Sequence, residues 1–179
     1  MKKLLVLFVA IIASFSFAGA QEMQMLPNDP AVKTGKLENG MTYYIRHNEK
    51  PADRAEFYLA THVGALQEAP DQDGLAHFLE HMAFHHTKNF PDNSLIGYLE
   101  SNGVQFGSNL NASTSVDQTV YNIANVPVTR TSLVDSCLLV LHDWSGFIEL
   151  DDKTIDEAMR RIKHDRPFFE NSGGGVRVT

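Results

Sequence analysis

The alternation of apolar and polar positions predicts short β-strands in the first two thirds of the chain. A β-hairpin is predicted over Lys33–Asn48, because Asn39 and Gly40 form a tight-turn signal between two strand-like segments. Three later segments combine aromatic or β-branched residues with partial alternation and are also predicted as strands: Glu56–His62, Gln105–Ser115 and Thr119–Ala124.

Helical spacing of apolar residues predicts four helices: about Leu75–His85, Ser94–Ser101, Ser132–Trp144 and Lys153–Lys163. Turn-forming residues 69–74 precede the first helix and include candidate capping residues. Ser132 and the three residues after it resemble a capping box. Strands and helices are mixed without strict alternation and without a repeat. The pattern therefore favours an α+β fold, with a mixed, mostly antiparallel sheet packed by helices.

The two ends of the chain differ from its middle. Residues 1–20 have the pattern of a signal peptide, since Lys2 and Lys3 precede the apolar run Leu4–Ala13 and small residues end at Ala20. A membrane anchor is the less favoured alternative, because a bilayer span needs about 20 apolar residues. Residues 21–32 are predicted to be an irregular leader, residues 33–166 one domain, and residues 167–179 a disordered or aberrant tail.

Composition narrows the class of protein. The chain has 179 residues and a formal net charge of −7, and this acidic balance argues against nucleic-acid binding. The single cysteine, Cys137, cannot form an internal disulfide and is expected to be a small buried hydrophobic residue. We therefore expect an exported protein in a periplasm-like compartment, with no membrane span after removal of the signal peptide.

One predicted helix carries two histidines and a glutamate that could form a catalytic metal site. His77 and His81 are one helical turn apart, and Glu80 falls on the same side of the helix. The opposite side is apolar and consists of Leu75, Phe78, Leu79 and Met82. We therefore expect the apolar side to pack against the protein and the polar side to project from it.

Two imidazoles at this spacing can bind one zinc ion, and a third protein ligand would leave a position for water. Glu80 could then act as general base and later as general acid in peptide hydrolysis. The alternative is a solvated polar face without a metal. His85 continues the histidine row, but a role at the carboxyl end of the helix is favoured for it. A zinc store using His77, His81, His85 and His86 is a weaker alternative.

The motif His77–His81, with sequence HFLEH, resembles the pitrilysin–insulysin family of zinc metallopeptidases, the inverzincins, which include mitochondrial processing peptidase and many bacterial exported zinc proteases. The resemblance covers about Lys33 to Asp156. Its other matching positions are Val63, Gly64, Glu68, residues 74–76 and 82–84, Thr87, Lys88, Leu110–Ser115 and Thr119–Tyr121.

This resemblance implies that His77 and His81 are zinc ligands and that Glu80 is the catalytic base. It also implies that Asn111 and Ala112 lie on an edge strand that receives the substrate by β-augmentation. From the residues alone, Asn111 would be interpreted as a turn or bulge residue. The implied fold is an α+β half-domain that encloses a chamber for peptides together with a second homologous half-domain or subunit.

The resemblance fails where the family supplies its third ligand, a glutamate on a later helix. Glu157, His164 and Asp165 are the candidates here, and the ligand could also be absent. A second half-domain is not included in the sequence. We therefore expect an amino-terminal fragment, with an out-of-frame or aberrant end after Glu157 as a further hypothesis.

Two functions follow from this reading. The leading hypothesis is a zinc-dependent endopeptidase domain that hydrolyses peptides or unfolded proteins. The rival is a catalytically incompetent domain, either truncated or the inactive partner subunit of a two-part peptidase. For the isolated chain the rival is favoured, because catalysis depends on a complete set of ligands.

Overall fold

The computed structural model describes residues 29–157, 159 and 160. The predicted signal peptide, most of the leader, His164, Asp165 and the predicted tail lie outside the described residues. The chain divides into two compact units, residues 1–48 and residues 49–179, which are described separately.

The described part of the first unit is the predicted hairpin. Strands β1 (Val32–Lys36) and β2 (Thr42–Arg46) pair in antiparallel register. Gly40 has a φ of +91°, which glycine adopts without steric cost, and its N–H donates to the carbonyl of Leu37 at 2.9 Å. The turn predicted at this glycine is confirmed.

The second unit contains a three-stranded antiparallel sheet. Its strands are β3 (Arg54–Thr61), β4 (Leu110–Thr114) and β5 (Thr119–Pro127), in the order β3-β5-β4. The predicted start of β4 at Gln105 is wrong. The N–H groups of Asn109 and Leu110 both donate to the Gln105 carbonyl, so these residues form a local turn instead of a ladder.

Three helices with complete bounds contribute buried residues beside this sheet: α1 (Leu75–Met82), α2 (Ser94–Ser101) and α3 (Thr131–Trp144). Residues 152–157 are also helical, and Asp151 caps them by accepting hydrogen bonds from the backbone and hydroxyl of Thr154. The predicted capping box at Ser132 is wrong, because the helix starts one residue earlier and its N-cap residue makes no side-chain hydrogen bond.

Helix α1 packs on β4 and β5, and α3 packs on β3 and β5. The fully buried Cys137 lies on α3 as a free thiol, and burial raises its pKa to about 11. The structure therefore confirms both the predicted role of this cysteine and the predicted α+β class. Within the described residues, no helix is long and apolar enough to span a membrane.

Candidate metal centre

Helix α1 carries the predicted motif and is anchored at both ends. At its amino end, the Glu68 carboxylate accepts hydrogen bonds from the N–H groups of Gly74 (2.9 Å) and Ala76 (2.7 Å). At its carboxyl end, Trp144 Nε1 donates to the Ala83 carbonyl at 2.9 Å. Both contacts satisfy backbone groups that a helix end leaves unpaired, and a carboxylate at the amino end also suits the helix dipole.

Neither anchor was predicted, and the cap expected within residues 69–74 is replaced by Glu68. The helix also ends at Met82 instead of the predicted His85. Residues 83–85 form turns in which the N–H groups of Phe84 and His85 donate to carbonyls three residues earlier, so His85 lies beyond the last regular helical turn.

The predicted orientation of α1 is partly wrong. Met82 is fully buried as expected, but Leu75 is 51% exposed and Leu79 is 36% exposed. Glu80, predicted to project from the protein, is only 7% exposed. The helix lays its acidic side chain against the sheet, and this placement is tolerated because the carboxylate is hydrogen-bonded there.

The two histidines of the motif converge. His77 Nε2 and His81 Nε2 are 3.1 Å apart, and both side chains are half-buried. Two nitrogen ligands of one tetrahedral zinc ion, each about 2.0–2.1 Å from the metal, are separated by about 3.4 Å. The pair therefore has the chemistry and nearly the spacing that a zinc ion requires.

Glu80 is held by a residue of β4. Its Oε2 atom accepts a hydrogen bond from the Thr114 hydroxyl at 2.7 Å.

Tyr121, on β5, lies stacked on Trp144 with ring centroids 5.0 Å apart. Burial raises the pKa of Tyr121 far above its usual value, and the negative charge of Glu80 raises it further.

Asn111 and Ala112 lie in the middle of β4, at an edge of the sheet formed by the described residues. The residue pairs 109–124 and 115–118 are joined by backbone hydrogen bonds. Hydrogen-bonded and non-hydrogen-bonded pairs alternate along an antiparallel ladder. The N–H and carbonyl groups of Asn111 therefore point toward β5, and those of Ala112 point toward the open edge. The Ala112 N–H donates to Asn111 Oδ1 at 2.9 Å. Asn111 is thus a regular strand residue and not the turn or bulge residue that the sequence alone suggested.

The candidates for a third ligand are less well defined. Glu157 lines a polar cavity of about 200 Å³ that also contains His85 and His86. Within the described part of the chain, no group of three histidine, cysteine or acidic side chains is arranged to hold a metal ion. His164 and Asp165 lie outside the described residues.

The other two histidines of the cluster have separate partners. His85 Nδ1 lies 2.5 Å from Asn93 Oδ1, and His86 Nε2 lies 3.0 Å from the Glu149 carboxylate. Their cavity does not include either histidine of the motif. The arrangement gives no support to a zinc store formed by all four histidines.

A buried carboxylate fixes the loop that follows α1. Asp143, on α3, is fully buried and accepts hydrogen bonds from the Thr87 hydroxyl (2.9 Å) and from the Asn89 backbone (2.8 Å) and side-chain amide (2.7 Å). His142 Nδ1 lies 3.2 Å from it. Burial alone would raise the pKa of Asp143, but these hydrogen bonds together hold that pKa below its usual value.

Known proteins share this arrangement of sequence and fold. Residues 43–172 match the family described as Insulinase (Peptidase family M16). The chain is 34% identical over 148 residues to the probable zinc protease PqqL of Escherichia coli K12, covering 83% of this chain and 16% of that protein. It is 37% identical over 140 residues to a zinc protease PQQL-like protein of Arabidopsis thaliana, covering 78% of this chain and 14% of that protein.

A solved structure agrees with these similarities. The crystal structure of the first half of the periplasmic protease PqqL from Escherichia coli superposes with a TM-score of 0.75 at 34% identity, covering 82% of this chain and 31% of that one. The chain therefore spans about one sixth of the length of its curated relatives and has the fold of part of one half. The resemblance predicted from the HFLEH motif is confirmed, and the chain belongs to the insulinase family of peptidases, M16.

Proposed function

We propose that this chain carries the zinc-binding helix of an endopeptidase that hydrolyses peptides or unfolded proteins. The observation that carries the proposal is the convergence of His77 Nε2 and His81 Nε2, 3.1 Å apart, beside the buried Glu80. The names of the relatives as zinc proteases support the same conclusion. In this proposal, the two histidines hold the zinc ion and Glu80 is the catalytic base.

The side chains of α1 have different roles in the proposed mechanism. A zinc ion held by the histidines would supply Lewis acidity, which lowers the pKa of water and polarises a peptide carbonyl. Glu80 accepts the proton of the attacking water on one carboxylate oxygen and donates it to the amine that leaves. Its low exposure keeps bulk water away, so the carboxylate acts in a medium where charge interactions are strong.

Strand β4 is the proposed binding site for the substrate backbone. An extended peptide added to this edge would pair with the N–H and carbonyl groups of Ala112 and displace the Asn111 side chain from that N–H. Backbone pairing of this kind tolerates many side chains, which suits a peptidase acting on unfolded protein.

The proposal also includes a second half-domain or subunit and a cellular compartment. Because the chain matches only part of one half of its relatives, a second homologous half-domain or subunit is proposed to close the site around the peptide. Export to the periplasm is proposed from the signal-like residues 1–20 and from the description of the PqqL relative as periplasmic.

A catalytically incompetent domain is the second candidate function. It is favoured by the absence, among the described residues, of a three-residue metal group. In that case the chain would bind zinc weakly or not at all and would not cleave peptides.

Substitution of His77 by Asn is expected to weaken zinc binding by more than about 100-fold. Loss of a hydrogen-bonding partner of a ligand already costs about 10–100-fold, and removal of a ligand costs more. Zinc affinity is measured by competition with a chromophoric chelator. The matched control is His85→Asn, whose imidazole contacts Asn93 instead, and it should keep the wild-type affinity. Equal affinity for wild type and His77→Asn would contradict the proposed site.

Substitution of Ala112 by Pro is expected to lower kcat/KM about fivefold, mainly through KM. Proline removes one of the N–H groups that face the proposed substrate strand, and a net hydrogen bond contributes about 1 kcal/mol. Proline is compatible with an edge strand at a position whose N–H faces outward. Steady-state kinetics on an unstructured peptide give the result, and an unchanged KM would argue against β-augmentation at this edge.

A further inference from the structure

We propose that Thr114 is a positioning residue that fixes the carboxylate of Glu80 and couples the catalytic base to the strand that binds the substrate. This inference rests on the proposed function, in which Glu80 is the base and β4 is the substrate strand. It adds to the site a residue that had no individual role in the sequence-based prediction.

The contact has the geometry of a charge-assisted hydrogen bond. Thr114 Oγ1 and Glu80 Oε2 are 2.7 Å apart, within the range for a hydroxyl that donates to a carboxylate. Glu80 is 7% exposed, so little water is available to replace this donor. A hydrogen bond to one oxygen makes the two carboxylate oxygens inequivalent, and it leaves the other oxygen for proton transfer.

The Thr114 side chain is itself constrained. Thr114 and Thr119 are direct cross-strand partners at the end of the β4–β5 ladder, and their hydroxyl oxygens are 3.4 Å apart. Thr119 Oγ1 also donates to the Val63 carbonyl at 2.9 Å. Because a β-branched side chain has restricted χ1, this packing favours one orientation of the Thr114 hydroxyl.

The position of Thr114 on β4 gives the contact its functional meaning. Ala112 and Thr114 are two residues apart, so both backbones face the same edge and their Cα atoms are separated by about 7 Å. A peptide paired with Ala112 and a base held by Thr114 would therefore share one short, regular segment of backbone. Loss of the hydroxyl should disturb the base without disturbing the edge that binds the peptide.

Crystal structures of the zinc-loaded wild type and of Thr114→Val test this directly. The expected result is a single Glu80 carboxylate orientation in wild type and in Thr114→Ser, which retains the hydroxyl, and a rotated or divided orientation in Thr114→Val. Thr61→Val is the matched control, because the Thr61 hydroxyl donates to the Thr119 carbonyl and not to Glu80. The wild-type Glu80 orientation in Thr114→Val would overturn the proposal. Thr114→Ala replaces Thr114→Val if the latter does not fold.

Kinetics of the same proteins provide the second readout. Thr114→Val should lower kcat by about 10-fold to 100-fold, a fraction of the general-base contribution, with KM unchanged. Thr114→Ser should recover most of the loss. An unchanged kcat, or a loss confined to KM, would overturn the positioning role. If the wild type has no turnover, the proposed function fails for this chain, while the orientation of Glu80 in the crystals still decides whether Thr114 positions it.

Discussion

Replacement of Glu80 by Gln is expected to abolish peptide hydrolysis while zinc stays bound. Glutamine has nearly the same shape and can still accept the Thr114 hydrogen bond through its amide oxygen, but it cannot accept the proton of the attacking water. A general base contributes about 10²-fold to 10⁴-fold to the rate, so turnover should fall by at least that lower factor. Because Glu80 is not a proposed zinc ligand, metal content should be unchanged.

Two measurements on each protein decide this prediction: the initial rate on an unstructured peptide and the zinc content by elemental analysis. Glu149→Gln is the matched control, because Glu149 is also a carboxylate beside an imidazole, that of His86, but lies outside the proposed site. It should keep both the wild-type rate and the wild-type zinc content. A rate for Glu80→Gln within about twofold of wild type would mean that another group acts as base, because loss of a general base lowers the rate by at least about 10²-fold.

Replacement of Asp143 by Ala is expected to destabilise the protein by about 3 kcal/mol or more. The substitution leaves the buried Thr87 hydroxyl without its acceptor, which costs about 1–3 kcal/mol, and it removes two hydrogen bonds from the exposed Asn89 to a charged group, each of which contributes about 1.5–3 kcal/mol. Urea denaturation gives the free energy of unfolding. Asp135→Ala is the control, because Asp135 is exposed on the same helix and should change stability little. Equal midpoints for the two variants would show that the Asp143 network contributes little.

The same carboxylate predicts how stability depends on pH. The pKa of Asp143 is lower in the folded protein than its usual value of about 3.9, so the folded state favours the ionised form. Its stabilising contribution is present above pH about 4 and is lost as pH falls through the lower, folded pKa. The difference in unfolding free energy between wild type and Asp143→Asn should therefore shrink below pH about 4. A difference that is constant from neutral to acidic pH would contradict this linkage.

Local patterns were sufficient to predict the elements that carry the site. The hairpin turn at Gly40, the helix from Leu75 and the edge strand containing Asn111 and Ala112 all follow from spacing or from resemblance. Each depends on residues near one another in the chain. The predicted ends of the elements were less accurate. The residues before Leu110, for example, have an alternating pattern typical of a strand, but their backbone groups form a local turn.

The orientation of the site could not be predicted, because it depends on contacts between distant residues. Glu80 is buried since its partner Thr114, 34 residues later, supplies a hydroxyl that compensates its charge. The loop after α1 is held by Asp143, which is 56 residues from Thr87. Helical periodicity alone places Glu80 opposite the apolar side and therefore in solvent. Alternation along β4 places the Thr114 side chain on the same face of the sheet as the buried Leu110. This was the sequence signal available for the contact between Thr114 and Glu80.

Peptide hydrolysis by the zinc-loaded chain tests the central claim most directly. The chain without its predicted signal peptide, residues 21–179, is incubated with an unstructured peptide. Cleavage is followed by mass spectrometry before chelation, after chelation and after zinc is restored. The proposed endopeptidase function predicts cleavage that stops with the chelator and returns with zinc, because in that proposal the histidines and Glu80 of α1 act only together with the metal. Cleavage no faster than that by the zinc-free protein would contradict an active site in this chain and would favour a catalytically incompetent domain.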